Sequence, residues 1–140
     1  MKTAIFAVVC LLTGNGLKAQ CNKDVKWTSS KSEFIDTAGK VEQTRDETVE
    51  LTTGSKKVSI ILSGPHADSM TGEVSSYTCN WTDAQNGKAV IKTTLVDTDG
   101  KTRHATITIE EVNGKTTILL EAEEEPTKIR LSIASFEEVK

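Results

Sequence analysis

Apolar residues in this chain recur at every second position over short runs, and each run ends at turn-forming residues. The clearest case is "HATITIEEV", where Ala105, Ile107 and Ile109 share one side against Thr106, Thr108 and Glu110 on the other. "EVSSYTCNW" places Tyr77, Cys79 and Trp81 on one face, and "KIRLSIASFEEV" does the same with Ile129, Leu131 and Ile133. In "VEQTRDETVEL" the shared parity is that of Val41, Val49 and Leu51. "DVKWTSSKSEFID", "KVSIILS", "AVIKTTLVD" and "TTILLEAE" complete a set of eight runs. Period-two alternation is the mark of a half-buried strand, and almost no stretch carries the 3.6-residue period of a helix.

The links are "DTAGK", "TTGSKK", "NGK" at 86–88, "DTDGK", "NGK" at 113–115 and "EEEPT", with "GPHADSMTG" the longest. Asn-Gly and Asp-Gly between alternating runs are strong hairpin signals, because both tolerate the backbone that a tight turn needs. Links this short join neighbouring antiparallel strands and cannot make the crossovers of a parallel sheet. The expected fold is therefore all-β: an eight-stranded antiparallel meander. Closing it into a barrel removes its exposed edges, and a half-open sheet folded on itself is the nearest competitor.

An eight-stranded meander behind an export signal, with a tryptophan near the start of its first strand ("KWTSS", Trp27), resembles the lipocalin-like barrels. The resemblance implies a non-enzymatic protein that holds a small apolar or sugar ligand in its interior. Trp27, Tyr77 and Trp81 are then the ligand-binding candidates, since aromatic faces stack on such molecules. The same three residues also fit the ordinary core of a small barrel, whose interior is narrow. The alternative function is a solid interaction module that binds another protein through its loops, such as an inhibitor of a secreted enzyme, with "SGPHADSMTG" as the contact loop.

Residues 1–19 have the order of a secretory signal: Lys2, the apolar run "TAIFAVVCLLTG", then "NGLKAQ". Ala19 suits the position before a signal-peptidase cut, which leaves residues 20–140 as a single domain. "KAQ" before a mature domain also resembles the export signals of small secreted proteins in some Gram-negative bacteria. Cys21 sits where a lipoprotein would carry its anchor, but Lys18 and Gln20 are poor neighbours for the lipoprotein peptidase. The expected location is secreted or periplasmic, with no membrane association unless Cys21 is lipidated.

Losing Lys2 and Lys18 leaves 15 basic against 20 acidic residues. That balance, with no basic stripe, argues against nucleic acid and against anionic headgroups as partners. Of three cysteines, Cys10 departs with the signal. Cys21 and Cys79 then form an even pair in an oxidising compartment, with no Cys-x-x-Cys and no histidine nearby, and are expected to form a structural disulfide.

Candidate chemistry is sparse. Ser63, His66, Asp68 and Ser69 lie together in one link, but neighbours on a loop do not make a buried, oriented triad. His104 is expected at an exposed or rim position. Two separate histidines without acids or cysteines at ligand spacing do not suggest zinc. "DTDG" has its glycine too early for a calcium loop, and "EAEEE" reads as a solvated turn. No catalytic residue, metal or cofactor is expected. "DTA" and "DSM" resemble periplasmic O-glycosylation signals, making Thr37 and Ser69 acceptor candidates, and "NWT" matches the N-glycosylation pattern.

Overall fold

The structure is a computed structural model that describes Cys21 and residues 23–139. The proposed signal and its cleavage site lie outside the described residues. Eight strands follow in order: β1 (Asp24–Ile35), β2 (Val41–Thr53), β3 (Lys57–Ser63), β4 (Asp68–Asp83), β5 (Asn86–Asp97), β6 (Thr102–Val112), β7 (Lys115–Ala122) and β8 (Glu125–Val139). Each pairs antiparallel with the next, and β8 pairs with β1, so the meander closes into a barrel.

Alternation decides what fills the barrel. Leu51, Ile60, Ile91, Ile107, Ile109, Ile118 and Leu131 come from six strands and are almost completely buried, with Trp27 from β1 among them. Removing one of these side chains would cost about 2–5 kcal/mol through lost transfer energy and the cavity left behind. The parity expected for β6 holds, with Ala105, Ile107 and Ile109 inside. On β2 it holds for Val49 and Leu51 but not for Val41, which is 39% exposed. Val41 pairs with Ile35 where the β1–β2 register shifts, and it lies at the rim beyond the packed interior.

Turn chemistry recurs at one end. In "DTAGK" and "DTDGK" the leading aspartate, Asp36 or Asp97, accepts two backbone N–H bonds of 2.9 Å from residues two and four positions on. Gly39 and Gly100 close these turns at φ of 84° and 82°, a region that glycine enters without strain. At the other end Asn113 and Gly114 form the left-handed pair expected of an Asn-Gly hairpin, at φ of 51° and 80°.

Three sequence expectations are corrected. The "NGK" at 86–88 is not a turn: Asn86 and Gly87 begin β5, and the reversal occurs at Ala84 and Gln85. "GPHADSMTG" is not a long loop, because Asp68–Gly72 pairs with β3 and leaves only 64–67 as a link. "EEEPT" gives only Glu123 and Glu124 to its turn, and β8 starts at Glu125.

Candidate functional site

The two ends of the barrel differ. The links β2–β3, β4–β5 and β6–β7, together with the entry to β1, lie at one end. This end is closed by the residues that sequence reasoning marked for ligand binding. Trp27 is 2% exposed, donates from Nε1 to Thr53 Oγ1 at 2.9 Å, and lies 5.2 Å from the Phe136 ring. Tyr77 donates its hydroxyl to the Cys21 carbonyl at 3.1 Å. Burial, and secondarily the Asp24 charge, raises the Tyr77 pKa. Trp81 packs on Gly87, where a Cβ would sit 2.1 Å from the indole ring.

Cys21 and Cys79 are joined by a disulfide that spans 58 residues of sequence, as expected. It ties the segment before β1 onto β4 at this closed end. A disulfide is consistent with an oxidising, extracellular or periplasmic location. Glu111 is also buried here, and desolvation raises its pKa, although the neighbouring Trp81 indole opposes the shift. Trp27, Tyr77 and Trp81 thus share one end of the barrel, and none of them lines the cavity at the other.

The opposite end, formed by links β1–β2, β3–β4, β5–β6 and β7–β8, opens on a cavity of about 330 Å³. Its floor is Ile60, Leu95 and Ala105, and half-buried Phe34, Leu62, Met70, Leu120 and Ile129 line its walls. The rim is charged. Arg103 donates to Asp97 and Glu125, both at 3.2 Å, and approaches Met70 Sδ at 3.9 Å. Burial alone would lower the Arg103 pKa, but these two carboxylates raise it. The Asp97 carboxyl is held low, first by the Lys101 N–H of its turn. His66 and Asp68 complete the β3–β4 side, and Thr98 bonds Asp68 at 3.3 Å.

The remaining sequence candidates are dispersed. His104 is exposed, with Nδ1 2.6 Å from Glu124. In "EAEEE", Glu121 pairs with Lys128, Glu124 with His104 and Glu125 with Arg103, so the run holds its own cations. Thr37 is exposed in the β1–β2 turn. Ser69, expected in a turn, lies half-buried in β4 opposite Ile61, because that strand begins at Asp68. Among the described residues no group of three or more histidine, cysteine, aspartate or glutamate side chains could hold a metal ion.

Sequence reasoning missed the inward charges of β2. Arg45 and Glu47 have the same parity as Val49 and Leu51, and Arg45 lines the mouth cavity with its guanidinium 4.5 Å above the Phe34 ring. The signal was the parity itself, which places polar residues among apolar ones on a single face. Compared with known proteins, the chain matches no family model, no curated protein and no solved structure.

Proposed function

We propose that this chain is an exported, non-enzymatic, lipocalin-like barrel that binds a small, mainly apolar molecule in its open mouth. The observation that carries this reading is the asymmetry between the ends. Trp27, the disulfide and the Trp81–Gly87 contact fill one end, while the other keeps an apolar cavity of about 330 Å³. That volume is at the small end of the roughly 300–1,000 Å³ typical of ligand sites, and an apolar lining with a few polar groups is their usual character. The site is moved from the aromatic trio to Phe34, Leu62, Met70, Leu120 and Ile129. The residue 1–19 segment and the disulfide both support export to an oxidising compartment.

The test is the binding of an apolar fluorophore, N-phenyl-1-naphthylamine, to the mature protein. Ala122, on the cavity wall, is replaced by tryptophan to fill the space. Binding to wild type and to Trp81→Phe, with loss in Ala122→Trp, is the expected result. Absence of binding to wild type, or loss in Trp81→Phe alone, would contradict the mouth as the site.

A further inference from the structure

Two arginines line the mouth cavity, and their surroundings differ. Arg103 is held by Asp97 and Glu125, both at 3.2 Å. Arg45 has no hydrogen bond and no ion pair among the described residues; what it meets is the Phe34 ring, 4.5 Å from the guanidinium carbon. Glu47, two residues along β2 on the same inward parity, is buried and does not pair with it. The other carboxylates of the lining are engaged elsewhere. Glu121 pairs with Lys128 at 3.1 Å, and Asp68 accepts from the Ser69 N–H at 2.8 Å and from Thr98 Oγ1 at 3.3 Å. The half-buried Arg45 charge is thus unmatched beside an apolar cavity, an arrangement that favours an anion from outside the chain.

The nitrogens of Arg45 are not equivalent. Nε is buried, whereas Nη1 and Nη2 make no hydrogen bond yet keep accessible surface. Phe34 lines the same cavity and covers one face of the guanidinium, which fixes its plane and leaves the Nη edge open. We infer that Arg45 is the head-group residue of the mouth, and that the bound molecule is an aliphatic carboxylate whose two oxygens meet the Nη1 and Nη2 N–H groups edge-on. A carboxylate is planar and offers two charged acceptors side by side, the arrangement that arginine binds most strongly. An alcohol brings one oxygen and no charge, and an ammonium faces a like charge. The aliphatic chain then lies on Leu62, Met70 and Leu120.

This inference rests on the mouth being the ligand site, and the experiment separates the two. Decanoate, 1-decanol and decylamine are each used at neutral pH to displace N-phenyl-1-naphthylamine from the mature protein. Decanoate is expected to bind on the order of tenfold more tightly than the other two, as fits hydrogen bonds between charged groups. Arg45→Met should close the gap between decanoate and decanol. Arg45, Arg103 and Arg130 are the chain's only arginines, so isotope-labelled arginine side chains report on each in the wild-type protein, whether or not the variant folds. The Arg45 signal should move most with decanoate and little with decanol. Equal affinity for the three compounds, tightest binding of decanol or decylamine, or a larger decanoate shift at Arg103 overturns the head-group inference and leaves the mouth site standing. Failure of the fluorophore and of all three compounds to bind removes the site and the inference together.

Discussion

The Trp27 indole donates from Nε1 to Thr53 Oγ1 at 2.9 Å, joining β1 to β2 inside the closed end of the barrel. Both residues are buried, so the bond is protected from water. Trp27→Phe removes the donor and some ring volume, and should cost about 1–3 kcal/mol. Thr53→Val in the same background removes the stranded hydroxyl, so urea denaturation of the four-member cycle should show a coupling of about 1 kcal/mol. Additive losses would mean that the bond contributes nothing of its own.

Gly87 is a strand glycine whose φ lies outside the left-handed region, so its backbone would accept alanine. Its surroundings would not, because the added Cβ meets the Trp81 ring at 2.1 Å. Gly87→Ala should therefore destabilise by about 1–3 kcal/mol through overpacking. Most of that cost should vanish when Trp81 is also replaced by alanine. Thermal unfolding of both variants checks this, and an undiminished penalty in the double variant would assign the glycine a different role.

The disulfide between Cys21 and Cys79 closes a long loop, and the chain-entropy account gives it about 4 kcal/mol. Replacing both cysteines by alanine should lower the denaturation midpoint accordingly, with the barrel retained by far-UV circular dichroism. Thiol titration of the unfolded, unreduced mature protein should find no free thiol. Two free thiols would contradict the bridge, and one would point to a modified Cys21.

His104 Nδ1 lies 2.6 Å from Glu124, and the same carboxylate accepts the His104 backbone N–H at 2.9 Å. Glu124, first through its side-chain hydrogen bond and then through its charge, raises the His104 pKa. His104 in turn is the main cause of a lowered Glu124 pKa. The histidine's contribution is full below its unfolded pKa of about 6.5 and fades as pH rises through the raised folded value. The glutamate's contribution is full above about pH 4.3 and fades as pH falls through the lowered value. The pair thus secures the β7–β8 turn best at about pH 5–6. NMR titration should find His104 above the ordinary histidine range in wild type and near it in Glu124→Gln. Because both groups are exposed, global stability should change little.

The fold was legible because alternation and turn chemistry pointed the same way. Ala105, Ile107 and Ile109 take the inner face, and the two Asp-Thr-x-Gly-Lys stretches form matching turns. The misread "NGK" at 86–88 shows the limit of a local signal. Gly87 is present for the indole of Trp81, a contact across the β4–β5 pair, and Asn86 links two turns by accepting from the Asn113 N–H at 3.1 Å. "SGPHADSMTG" looked like a loop because glycine, proline and serine dominate it, yet cross-strand pairing with β3 recruits Asp68–Gly72. The candidate site was hardest to see. Aromatic residues drew attention to Trp27, Tyr77 and Trp81, whereas the cavity lies at the opposite end and is lined by aliphatic residues from several strands. Arg45 and Glu47 stood on the inward parity that Val49 and Leu51 continue, but their polar character masked that alternation.

The most direct measurement uses the fact that Met70, on the cavity wall, is the chain's one methionine besides Met1. Methyl-labelled methionine reports on the mouth, and the two tryptophan indole N–H signals, from Trp27 and Trp81, report on the closed end. Titrating N-phenyl-1-naphthylamine into the mature protein should shift the Met70 methyl resonance saturably while both indole signals stay in place. A saturable shift of the indoles with Met70 unmoved would contradict the mouth as the binding site and return it to the aromatic end.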